Sequence, residues 1–395
     1  LVTSGNVRAN RKITVSGKLE NSGAVETSKN ISVAGNIKND GKIAVNEDLT
    51  GKNTENNGNI YVKNLKVNNL KNTEKIEGMN LKTDDITNSG DITSIGKVSS
   101  RNIDNSGKLL ANDVINAKNI KNINKIAAGK GITGERIDNS GTFATNRDIK
   151  ATNSLVNSGT VDGKGIDVAG AEFTNSGKIN GENIKDQVAS TRNDGFIYSG
   201  KDIDLTTNTL INTKEITAVN NVNTANANVT NSGKIASNGR VLLDNSAIAN
   251  TGEILSGEVF MRNAQRFDNT GTIKGNNVEL GINQDINLTG NLHGQQRLKI
   301  SGNNITNNGN TTGTGLIEIN SNDFTNNREL ASDTVVVNGR GEVVNNSMIT
   351  GNNGKVSGRN ITNNDLIAFD NYLEMNVQGK VQNNKGKAIY GGQAL

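Results

Sequence analysis

The chain of 395 residues contains no cysteine, no proline and no tryptophan. Without cysteine there is no disulfide framework and no thiolate metal site. That also suits a large exported chain that must cross membranes unfolded. Histidine occurs once, at His293, with no partner at a recognisable spacing, which leaves no Ser/His/Asp set. Aromatic residues are 3% of the chain, too few to form a stacking surface for bases. No apolar run is long enough to span a bilayer, so membrane insertion is not expected. The 43 basic and 39 acidic residues are interspersed, and a net charge of +4 gives little reason to expect nucleic acid as a partner.

A short phrase, Asn-x-Gly-x-Ile in its plainest form, returns every 16 to 20 residues from one end to the other. Asn231-Ser232-Gly233-Lys234-Ile235 is one copy, and others begin at Asn21, Asn88, Asn157 and Asn269. Asn is replaced at Thr3 and Leu288. A fixed period of this length is the signature of a solenoid. Apolar columns recur within each unit. One lies two residues after the glycine position (Ile43, Ile92, Ile197, Ile235) and another two residues before the next Asn (Leu70, Ile120, Leu210, Ile248). Between them stands an alternating pair such as Val241 and Leu243. Alternation at period two is strand patterning.

A single unit has only about four aliphatics to bury against the entropy of ordering all its residues. Stability must therefore come from stacking coil on coil, with equivalent strands parallel and the crossover right-handed. The expected fold is all-β: a right-handed parallel β-helix of about 22 coils, roughly 100 Å long at one strand spacing per coil. The repeat spacing predicts one shaft over 1–395, with narrower coils over 39–139 and wider ones over 193–395. Asn and Gly suit the corner because both tolerate left-handed backbone. Asn stacked on Asn can also bond amide to amide, as in cross-β ladders; the alternative is that Asn simply marks turns.

Few residues read as sites. Gly129-Lys130-Gly131-Ile132-Thr133-Gly134 has a dinucleotide-binding spacing, but no helix pattern follows it to aim amides at a pyrophosphate. Asp40, Asp162 and Asp194 sit at turns without a calcium nonapeptide and read as turn formers. Asp202 and Asp204, beside Lys201, share a strand face, as a polysaccharide-cleaving β-helix would need, though charge alternation on a solvated strand is far commoner. No catalytic, cofactor or metal residues are assigned. The remaining candidate is a contact patch: in Phe196-Ile197-Tyr198, both aromatics point opposite the core-column Ile197. Lys387 falls at a column position in the irregular last unit.

The repeated Asn-Ser-Gly-Lys-Ile with Ile-x-Asn closing each unit resembles the haemagglutinin repeats of filamentous haemagglutinin. More broadly, the chain is similar to the exoproteins of bacterial two-partner secretion. The resemblance implies a secreted, cell-surface β-helical fibre exported by an outer-membrane transporter, with a role in adhesion or in display of a distal tip. It implies partners on host or neighbouring cells, such as a receptor, a matrix protein or a glycan. The secretion domain of that family carries Asn-Pro-Asn motifs, which a chain without proline lacks, and the chain begins and ends in mid-repeat. It therefore reads as an interior piece, with an inert spacer as the alternative role.

Overall fold

The computed structural model describes residues 1–394. The described chain is built from strands joined by bends and short turns, and it divides into two compact units, Leu1–Val188 and Ala189–Leu395. In each unit every strand pairs in parallel with its equivalent one repeat later. This is the right-handed parallel β-helix that the repeat predicts.

The register between coils follows the columns. In the first unit Ile43 pairs with Ile60, Ile60 with Ile76, and Ile76 with Ile92, all fully buried. In the second unit Ile216, Ile235, Ile254 and Ile273 stack in the same way. A one-residue slip would turn every inward side chain to solvent, so the periodic pattern pins the pairing. The interior is a file of aliphatic side chains along each unit's axis, joined by the fully buried Phe143, Phe173, Phe324 and Phe369.

The Asn-x-Gly corner has two separable causes. The Asn side chain turns inward: Asn39, Asn72, Asn105, Asn231 and Asn345 are fully buried. The glycine lets successive corners approach. A Cβ at Gly58 would lie 2.1 Å from the Gly41 carbonyl oxygen, and one at Gly252 would lie 2.0 Å from that of Gly233. Where the corner carries Glu74, Asn124 or Lys214 instead, the next amide stands further from the preceding corner: Lys75 N, Lys125 N and Glu215 N donate at 3.2 Å, against 2.8 Å for Asn59 N.

The last rung departs from its expected register. Ile389, not Lys387, pairs with Ile367 and continues the column. The turn after Asn383, with Gly386 at φ +79°, takes up the extra residues, and Lys387 instead reaches Asp365 at 3.3 Å.

Candidate functional site

The most continuous chemical feature is the buried amide ladder. In the first unit each Asn Nδ2 donates to the Asn Oδ1 of the next coil, from Asn21 through Asn39, Asn56 and onward to Asn175, at 2.7–2.9 Å. The same Nδ2 also donates to backbone carbonyls. That of Asn56 reaches Gly58 O at 2.8 Å and Lys75 O at 3.1 Å. The amide thus helps to satisfy the carbonyls of its own corner and of the next coil. All links run in one direction, so the amide dipoles add along the row.

In the second unit the ladder runs from Asn193 to Asn269 and again from Asn307 to Asn383. Leu288, itself buried, separates the two rows and pairs in register with Asn269 and Asn307. Asn269 Nδ2 keeps one carbonyl, Gly271 O at 3.3 Å, and Asn307 Oδ1 accepts from Thr311 Oγ1 at 2.9 Å. Replacing Leu288 with Asn should join the rows. The expected result is slower native-state hydrogen exchange for amides over 267–290. Unchanged exchange there would show that the ladder adds no coupling across coils.

Sequence reading missed a second set of ladders on the outside. Asn327 donates to Asn308, Asn346 to Asn327, and Asn364 to Asn346, opposite in direction to the buried row beside them. Several outer rows end on a carboxylate at their acceptor end. Asn80 donates to Asn64 and Asn64 to Asp48; Asn119 to Asn102 and Asn102 to Asp85; Asn322 to Asn303 and Asn303 to Asp285. A full negative charge suits the end of a row where only acceptors remain. The signal was present as Asn recurring just outside an apolar column in successive units.

These bonds hold the carboxyls below their usual range. For Asp48 the Lys66 ammonium is the main cause and the Asn64 amide the next; for Asp85 and Asp285 the amide comes first. A depressed folded-state value adds stability above the ordinary carboxylate pKa and loses it as pH falls through the folded-state one. Acid unfolding beginning below about pH 4 is therefore expected. A urea midpoint flat from pH 6 to pH 2 would contradict it.

Phe196 and Tyr198 lie on the strand Phe196–Asn212 and flank the buried Ile197. They are 54% and 45% exposed, so both aromatics face outward as their alternation requires. Their register partners on the next coil are Glu215 and Thr217. Tyr61, in the first unit, lies between the Lys42 and Lys75 ammonium groups, 6.0 and 5.8 Å from its ring centre, and is less open.

The other candidates resolve into rung-to-rung contacts. Asp202 accepts from Asn221 and Asp204 from Asn223, both at 2.8 Å. Asp194 accepts from Thr213 and Arg192, which hold its carboxyl below the usual range. Asp40 accepts from Asn57 at 2.9 Å. His293 Nδ1 meets Thr312 Oγ1 of the next coil at 3.1 Å. Gly131 to Gly134 open the strand Gly131–Asn139, whose Ile132 enters the core, so no helix N-terminus stands behind them. Among the described residues no group of three or more His, Cys, Asp or Glu is placed to hold a metal ion.

In comparison with known proteins, no family model, no curated protein and no solved structure matches the chain. Function must therefore be argued from the repeat and its surface.

Proposed function

We propose that this chain is a segment of the shaft of a secreted, cell-surface protein, acting in attachment or in holding a distal tip away from the cell. The observation that carries the reading is the run of stacked coils with a buried amide ladder, one row in the first unit and two in the second. Such a ladder stiffens a repeat without using any group for chemistry. The carboxylates that a cleaving β-helix would need are engaged by amides of the neighbouring coil, which favours a structural or adhesive role over an enzymatic one. Export through an outer-membrane transporter and display on a bacterial surface belong to this proposal through the filamentous haemagglutinin-like repeat.

The test is binding of the purified, folded chain to whole cells, extracellular-matrix proteins and a glycan panel. Adhesion predicts saturable binding to one class. Phe196→Ala with Tyr198→Ala should weaken that binding about tenfold if the exposed aromatics anchor the contact. Absence of binding to every class would leave a spacer as the role of this segment.

A further inference from the structure

Two clefts of about 520 and 610 Å³ open on the same face of the first unit. Both are lined by Asp85 and Thr87, so they form one continuous trough. Its floor is the strand that precedes each ladder Asn, from Leu19 to the coil of Glu172. Ten coils at one strand spacing each make it roughly 43 Å long.

One wall is amide. Asn69 donates to Asn53 and Asn119 to Asn102, at 2.8 and 2.7 Å. Each of these bonds uses one N–H, so the second N–H of each donor amide is left for a ligand. The other wall is ionic with alternating sign, as in Glu55, Lys71, Asp104 and Lys121. Neighbours pair across coils, with Lys71 Nζ 2.9 Å from Glu55. Five basic and six acidic side chains line the whole trough, so it carries almost no net field, and no aromatic residue lines it.

This chemistry selects its occupant by exclusion. A polyanion such as nucleic acid or a sulfated chain needs a basic surface. Single-stranded bases and proline-rich peptides need aromatic platforms. An amphipathic helix needs an apolar groove. An extended polypeptide advances about 3.3 Å per residue and meets successive coils, about 4.8 Å apart, out of step. An uncharged chain of sugars fits. It is rich in hydroxyls that both give and accept hydrogen bonds, and its rings repeat at a distance close to the coil spacing. We propose that the trough on the first unit binds an uncharged linear polysaccharide lying along the axis, with amide contacts along one wall and carboxylate and ammonium contacts alternating along the other. Each contact is weak and solvent-exposed, so affinity comes from many in series and grows with ligand length.

The site is separate from Phe196 and Tyr198, and the proposal does not depend on attachment to cells. The test is affinity electrophoresis and titration calorimetry of the whole chain. The probes are soluble neutral linear glucans, a linear mannan and, for contrast, heparin. The expected result is retardation by at least one neutral polymer, insensitive to salt, with affinity rising over an oligosaccharide length series. Asn53→Ala, Asn69→Ala, Asn102→Ala and Asn119→Ala combined should weaken binding about tenfold or more. The pair Asp104→Ala and Lys121→Ala, on exposed side chains of the other wall, should also weaken it. The pair Asn327→Ala and Asn346→Ala, in the outer ladder of the second unit, should leave binding unchanged. No retardation by any neutral polymer would overturn the proposal. So would binding that survives both trough variants, or binding to heparin alone with steep salt dependence.

Discussion

Replacing Asn122 with Asp should destabilise the first unit by about 3–5 kcal/mol at neutral pH, although the side chains are nearly isosteric. Asn122 is fully buried. Its Oδ1 accepts from Asn105 at 2.9 Å, and its Nδ2 donates to Asn139 Oδ1 at 2.7 Å and to Thr142 O at 3.0 Å. A carboxylate keeps the first bond but turns an acceptor toward these two acceptors and toward Asn124 O at 3.4 Å, with its side chain fully buried. Burial then raises the pKa of the new carboxyl. The protonated form has an O–H that can donate to Asn139, as the amide did. A raised folded-state pKa means the folded chain binds the proton more tightly than the unfolded one. The variant should therefore approach the wild type at pH values below the ordinary Asp pKa of about 3.9, and lose stability as pH rises above it. The native outer carboxylates run the other way and weaken on acidification. Urea midpoints of both proteins at pH 3.5 and pH 7 test this. A difference between them that is the same at both values would show that residue 122 is not buried in the ladder.

Replacing Ile235 with Asp should be comparably severe, at about 5 kcal/mol or more, but in the second unit and by a different route. Ile235 has no solvent exposure and stacks between Ile216 and Ile254, which are equally buried. The charge would have no partner in a file of aliphatic groups. Because each coil of a solenoid touches only its neighbours, the damage should be local before it is global. Limited proteolysis should cut first between the coils of Asn212 and Asn250. The outward neighbour Lys234, which pairs with Glu215 at 3.2 Å, gives the control: Lys234→Ala should change stability by about 1 kcal/mol or less. Equal protease resistance of Ile235→Asp and wild type would remove Ile235 from the core.

Both experiments act on residues whose positions could be read from the chain alone. Asn122 and Ile235 are members of columns that recur with the coil, and a column at a fixed place in a stacked repeat has nowhere to go but inward or outward. The outward face was harder to read. Asn53, Asn69, Asn102 and Asn119 look like surface polar residues one at a time, and their spacing varies with the length of the coil. Only the register of the pairing shows that Asn69 stands over Asn53 and Asn119 over Asn102. Lys387 failed for a related reason. Counting residues from the last Asn ignores a turn that absorbs extra chain, whereas the half-buried Ile389 continues the column through its pairing with Ile367.

The sequence by itself determined the coil, its all-β character, the inward columns and the alternation that turns Phe196 and Tyr198 to solvent. Those depend on short-range period and on the cost of exposing aliphatic surface, both of which are local to a repeat. Tertiary structure decided which direction each amide donates, where carboxylates close the outer rows, that Leu288 parts the buried ladder into two rows, and that a trough runs along the first unit. Each of those depends on which side chains stand above one another across 16 to 22 residues of chain, a relation that stacking creates.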